Sequence, residues 1–271
     1  MTKLLSSTFL FLFSLSICKA QYNHEFGSTD ECYRKTFKVV AWVLTDTMNL
    51  TIPLTQGVLQ TAIDGANSEF EDICVDFQLC EYNVLPNHRQ DTIIRGIHDE
   101  EIAALYRKKN VINMYFATTI VDTAMVELPC GYTSRGTDTI PNDTNLRDAI
   151  FFGKACVNPR SMSVLLGTYF GLFPTFHDAN GVELEDGSNC ATSGDLICDT
   201  KADYVEGVNG RIENCMIDRR DQTQQPETGL TYEPPMCNIM SFYNVGCDSY
   251  FTRGQLNRML SIMKTGRSYL W

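Results

Sequence analysis

Apolar and polar residues along this chain follow two different periods, and each change of period marks an element. Residues Phe37 to Leu44 (Phe-Lys-Val-Val-Ala-Trp-Val-Leu) form a β-favouring run. After a turn at Asn49 to Pro53, Leu54, Val58, Leu59, Ala62, Ile63, Ala66 and Phe70 recur at helical spacing, which predicts an amphipathic helix over residues 54 to 71. Val75, Phe77 and Leu79 then alternate with Asp76, Gln78 and Cys80, the pattern of a half-buried strand. A second helix is expected over Asp91 to Lys109 and a strand over Val111 to Ala117. Strands alternating with helical crossovers make an α/β sheet.

The character changes at Cys130. Gly131 to Thr133 and Ala149 to Phe152 read as short strands, Met162 to Phe173 as a helix, and residues 177 to 235 as a loop-rich stretch. Near the end, Thr252 followed three residues later by Gln255 spells a capping box, with Phe251 and Leu256 placed as a hydrophobic staple. A helix from Arg253 to about Lys264 should follow. No repeat, low-complexity tract or Pro/Gly/Ser linker divides the chain, so residues 21 to 271 read as a single domain with a sheet half and an irregular half.

Residues 1 to 20 read as a secretory signal peptide: Lys3, then an apolar run through Phe9 to Phe13, then Cys18-Lys19-Ala20 before Gln21. The run is too short to span a bilayer, and no later stretch reaches the ~20 apolar residues of a membrane helix. The expected mature protein is therefore secreted, without membrane insertion. Charge bears on the partner. The net charge is 22 − 33 = −11, and removing Lys3 and Lys19 makes it 20 − 33 = −13. Nucleic-acid binding rests on neutralising phosphates with Lys and Arg, so a nucleic-acid partner is not expected. A hydrophobic share of 44% supplies a packed core and argues against a disordered chain.

Of 11 cysteines, Cys18 leaves with the signal peptide and ten remain: Cys32, Cys74, Cys80, Cys130, Cys156, Cys190, Cys198, Cys215, Cys237 and Cys247. An even count in an exported chain reads as disulfides, each worth roughly 2–4 kcal/mol. No C-x-x-C spacing points to a thiolate zinc site. Asn49-Leu50-Thr51 and Asn142-Asp143-Thr144 match glycosylation acceptors.

An ordered series of short motifs occupies the carboxy-terminal half. Gly171-Leu172-Phe173-Pro174-Thr175-Phe176 is followed by Cys190, by Gly194-Asp195-Leu196-Ile197-Cys198-Asp199-Thr200 and by Asn238-Ile239-Met240-Ser241-Phe242. Cys247 and Phe251-Thr252-Arg253-Gly254-Gln255-Leu256-Asn257-Arg258-Met259 complete it. Together these resemble the pappalysin family of metzincin zinc metallopeptidases, the cytophagalysin- and ulilysin-like enzymes, over roughly residues 35 to 263. The resemblance implies a metzincin-like catalytic-domain fold: a mixed, twisted sheet with packed helices and a loop-rich, disulfide-stapled carboxy-terminal half. Cys237 and Cys247 bracket the Met-turn and are expected to join.

Carried over residue by residue, the resemblance breaks at the metal. The family's motif, H-E-x-x-H-x-x-G-x-x-H, sets two His one helical turn apart, a Glu base between them and a third His beyond a Gly turn. Here the first His position holds Val164, the Glu position Leu165, the second His position Thr168 and the third Pro174, while Gly171 keeps the turn. The whole chain has four histidines, His24, His88, His98 and His177, and no two are four residues apart. Zinc needs about three nitrogen or oxygen ligands and an open position for water. Without metal and Glu, nothing lowers the water pKa and nothing receives its proton. The Met-turn position where the family carries Tyr holds Phe242, with Tyr243 one residue on. About 15 residues separate the expected cleavage point from the first sheet residues, too few for a long latency segment.

Other features have modest readings. Asp195 and Asp199 are candidate calcium ligands or turn and cap residues. Met240 is expected in the core, and His177 with Asp178 reads as solvated surface rather than a replacement metal pair. Val164, Leu165, Leu166, Tyr169, Phe170 and Phe173 make the former metal helix apolar on nearly all sides. The expectation is a secreted, non-catalytic homologue with no zinc cofactor, binding an extracellular polypeptide along an edge strand at Gly131 to Arg135. The alternatives are an active secreted metalloendopeptidase with an atypical metal site, and a structural extracellular protein.

Overall fold

A computed structural model describes residues 32–46, 53–86, 91–128, 130–134, 148–204, 212–213, 216–217, 223–241, 243 and 249–270. The elements, in chain order, are β1 (Lys35–Leu44), α1 (Gln56–Glu69), β2 (Val75–Leu85), β3 (Thr92–Ile94), α2 (His98–Tyr106), β4 (Ile112–Ala117), β5 (Thr119–Val121), β6 (Gly131–Thr133), β7 (Ile150–Gly153), α3 (Pro159–Tyr169), β8 (Ile212–Glu213), β9 (Met216–Ile217) and α4 (Arg253–Lys264). Two compact units result: Glu31–Leu172 with Arg258–Trp271, and Phe173–Asn257.

The first unit is built on a five-stranded sheet in the order β2-β1-β4-β7-β6. Four strands run parallel and β6 is antiparallel to β7 at the edge. Parallel strands need cover on both faces, and β1 and β4 are buried along nearly their whole length. One face carries Val40, Trp42, Leu44, Tyr115 and Phe151, packed with Ile102 and Ala103 of α2. On the other, Phe37, Phe77 and Phe170 meet at ring separations of 5.3 to 6.0 Å. Asn113 is the buried polar exception. Its amide accepts from Trp42 Nε1 (3.2 Å) and the Lys108 N–H and donates to the Lys108 and Val111 carbonyls, so it is fully engaged.

Local chemistry fixes the helix starts. Thr55 Oγ1 accepts the Val58 N–H to cap α1, and Asn158 Oδ1 accepts the Ser161 N–H to cap α3 ahead of Pro159. The predicted capping box at α4 forms in both directions: Gln255 N–H donates to Thr252 Oγ1 (3.2 Å), and Thr252 N–H to Gln255 Oε1 (2.8 Å). Helix α3 ends at Gly171, φ +95°, where Leu172 N–H reaches Gly167 O and Gly171 N–H reaches Thr168 O, a Schellman closure.

One predicted element is divided. The helix expected over Asp91 to Lys109 begins only at His98, because Thr92-Ile93-Ile94 instead pairs in parallel with β5. Strand β2 continues to Leu85, beyond the alternation that identified it.

Disulfides join Cys32 to Cys74, Cys130 to Cys156 and Cys190 to Cys198. Cys237 is also disulfide-bonded; Cys215 and Cys247 lie outside the described residues, as do Cys18, Phe242 and both glycosylation motifs. Cys80, one of the ten disulfide candidates, is exposed and free. The register of β1 against β2 passes from Val39↔Leu79 to Val40↔Glu81, so Cys80 is the extra residue of a β-bulge on an edge strand, and its thiol faces solvent. Among the described residues, no helix is long and apolar enough to cross a membrane.

Candidate functional site

The residues where the resemblance places the zinc motif make other contacts. On α3, Val164 and Thr168 are half-buried and Leu165 is buried. Thr168 Oγ1 donates to the Val164 carbonyl at 3.0 Å, an ordinary helical back-bond. Neither Val164 nor Leu165 carries a lone pair for a cation. Past Gly171, whose carbonyl accepts from Arg258 Nε at 2.9 Å, Pro174 offers only its backbone carbonyl, which accepts the His177 N–H. The His177 ring lies 4.4 Å from that of Phe173, and His98 Nδ1 faces the Ile94 N–H and Thr92 O at the start of α2. Among the described residues no three His, Cys, Asp or Glu side chains are grouped to hold a metal ion. These side chains do not fit the family's zinc.

Met240 is buried, its N–H given to Asn238 Oδ1 and its carbonyl to the Thr175 N–H. Tyr243, next to the former Tyr position, is buried with its hydroxyl directed at Asp203 Oδ1 (3.4 Å). That hydroxyl serves the core of the Phe173–Asn257 unit.

Around Asp203 the same unit holds a cavity of about 160 Å³, with Glu183 and Tyr232 in its wall. Burial pushes Asp203 up to about 6, against hydrogen bonds from Thr175 and Tyr243 that pull it down. Glu183 is 6% exposed, and its Oε2 has no hydrogen-bond partner. Burial first, then the carboxylates of Asp195 and Glu185, push it up to about 8. Glu183 lies against the left-handed Gly194, where an added Cβ would fall 2.3 Å from Oε2. The two predicted calcium candidates are occupied differently. Asp199 accepts from Thr252 Oγ1 (2.7 Å) and Gly254 N–H (2.6 Å), binding the first turn of α4. Asp195 accepts from the Ile197 N–H and from Thr200 Oγ1. The acid beside Asp195 that lacks a partner is thus Glu183, which no local motif marked.

The edge strand is the second candidate surface, in the sheet-bearing unit. Gly153 N–H donates to Cys130 O (3.1 Å) and Ser134 N–H to Ala149 O (3.4 Å). Cys130, Tyr132 and Ser134 therefore turn their backbone groups toward β7, and those of Gly131 and Thr133 point away from the sheet. Only glycine fits at 131: φ is +118°, and a Cβ would lie 2.0 Å from the Phe151 carbonyl oxygen. Both ends of β6 are held. The Cys130–Cys156 disulfide ties the start, while Arg267 Nη2 donates to Ser134 O (3.0 Å) and Arg267 Nη1 pairs with buried Asp148. Arg135, the last residue of the predicted edge, lies outside the described residues.

No protein-family model matches the chain, and no curated protein matches its sequence. Solved structures do match. A point mutant of Tannerella forsythia promirolysin superimposes with a TM-score of 0.61 at 14% identity, covering 98% of this chain and 92% of that one. Mirolysin in complex with compound 9 gives 0.59 at 14% identity over 87% and 96%. Tannerella forsythia mature mirolysin in complex with a cleaved peptide gives 0.58 at 14% identity over 87% and 97%. At such identity the likeness shows the fold alone: the mixed α/β arrangement of mirolysin, with its twisted, mostly parallel sheet and packed helices.

Proposed function

We propose that this protein is an exported, non-catalytic relative of the pappalysin-type metallopeptidases, holding a polypeptide against β6 without cutting it. The observation that carries the reading is the donor set. Val164, Leu165, Thr168 and Pro174 stand where the resemblance places three imidazoles and a carboxylate, and no pair of the four histidines has the spacing to replace them. Peptide hydrolysis on this scaffold needs a polarised water and a base to take its proton. Strand addition needs neither: the outward N–H and C=O groups of Gly131 and Thr133 are what an extended chain would pair with. One mirolysin structure is a complex with a cleaved peptide, which supports peptide binding on this fold. Expected disulfides and signal peptide support an extracellular setting.

Elemental analysis after zinc loading, together with a casein digest, tests this reading. Trace zinc and intact casein are expected, with edge-strand amides protected from exchange by bound peptide. About one zinc per chain with chelator-sensitive release of new amino termini would establish the active-peptidase alternative instead. Absence of any saturable peptide binding, with recovery in an insoluble matrix, would favour a structural role.

A further inference from the structure

Beside β6 lies a cavity of about 330 Å³ whose wall includes Arg95, Asp99, Asp122, Tyr132 and Ser134. Its two carboxylates are committed. Asp99, 2% exposed, accepts the Gly96 and Glu100 N–H groups on Oδ1 and the Tyr132 hydroxyl on Oδ2 (2.8 Å). Asp122 Oδ1 accepts the Ala124 and Val126 N–H groups at 2.8 and 3.0 Å, closing its own turn. The Ser134 hydroxyl is engaged with Asp148. Arg95 differs. Its guanidinium lies 5.0 Å above the Tyr132 ring, and among the described residues it has no carboxylate partner. It is exposed, so water solvates its charge until a guest displaces that water.

Geometry then links Arg95 to the edge. Tyr132 gives its backbone groups to Phe151, so a strand added outside β6 would face Tyr132 as a non-hydrogen-bonded neighbour, with Cα atoms about 4.5 Å apart if antiparallel. Side chains of neighbouring strands at such a pair lie on the same face. The added residue opposite Tyr132 would project beside the Tyr132 ring, over which Arg95 sits.

We infer that this cavity selects an acidic side chain, Asp or Glu, at the position of the bound polypeptide that lies opposite Tyr132, with Arg95 as the residue that reads it. The inference rests on the peptide-binding reading of β6 and names the partner's chemistry at that site. Guanidinium and carboxylate match as two parallel hydrogen bonds. Distant charges of the chain are screened beyond about 8 Å at physiological salt, and Asp99 and Asp122 in the same wall weigh against an acidic guest, so the preference rests on direct guanidinium–carboxylate contact.

The test uses the full mature chain and fluorescein-labelled heptapeptides of alternating Val and Thr whose central residue is Glu, Gln or Lys, read by fluorescence polarisation. The Glu peptide should bind roughly three- to fivefold tighter than the Gln peptide and the Lys peptide weakest, the range of a partly exposed ion pair. Arg95→Gln should erase the Glu-over-Gln preference. Raising NaCl to 0.5 M should shrink the preference in the native chain. Equal binding of Glu and Gln peptides, or a preference that survives Arg95→Gln, sinks the role of Arg95 while leaving strand capture standing. Failure of all three peptides to bind overturns strand capture, and the selectivity with it.

Discussion

Gly131 is the residue on which the edge depends. Ala at this position sets a methyl group against the Phe151 carbonyl, 2.0 Å from its oxygen, at a φ that L-residues avoid. Gly131→Ala should therefore cost about 2–4 kcal/mol in urea unfolding, or detach β6 and abolish peptide binding with the rest of the sheet intact. Glu183 makes a different prediction, because its proton is linked to folding. In the folded chain its carboxyl holds the proton to about pH 8, whereas an unperturbed Glu releases it near 4.5. Between those values the folded state binds more protons than the unfolded, so stability falls as pH rises from about 5 to 8. Below 4.5 the penalty is absent. Differential scanning calorimetry in chelator should show Tm declining over that window, with a flatter profile for Glu183→Gln. A pH profile identical in both chains would remove Glu183 from the account. Nothing in the sequence singled this residue out: its lack of a partner arises from Gly194 and Asp195, which reach it only in the folded loop.

Elements were legible where their cause is local. The α1 stripe, the Thr252–Gln255 box of α4 and the β-favouring run of β1 each carry their signal within a few residues, and the chain folds there as read. Three-residue strands carry no such signal. Thr92-Ile93-Ile94 looks helical in a window that includes His98 to Tyr106, and only the parallel partner Thr119-Ile120-Val121 settles its state. For cysteine, parity showed that disulfides were present and not which thiol stays out; the bulge that turns Cys80 to solvent is a property of the β1–β2 register. At this scale the testable element is the carboxy-terminal segment that pins β6. Arg267→Met strips buried Asp148 of its ion pair and Ser134 of a donor, and should cost about 3–5 kcal/mol. Hydrogen exchange should quicken first at Ser134 and Tyr132, whose N–H groups face β7. Exchange unchanged at these amides would show that β6 is held by other means.

At the scale of the whole molecule, the fold and the chemistry give different answers. The chain keeps the fold of mirolysin at 14% identity, while the positions where the resemblance places the zinc motif carry Val, Leu, Thr and Pro. The architecture survives because it rests on the buried faces of the sheet, on caps and on cross-links, none of which uses a metal. That divergence is readable in the sequence, since counting histidines needs no coordinates. The edge strand's outward groups and the uncommitted Arg95 are not, because both depend on which neighbours are already paired.

The bond between Cys130 and Cys156 closes a loop around the start of β6. In a thiol-rich cytosol it would stay open, and on the peptide-capture reading the template would be slack and slow to recruit a guest until the bond formed. Competence to capture a partner would thus be switched on by arrival in an oxidising space, which keeps a sticky surface quiet inside the cell that makes it.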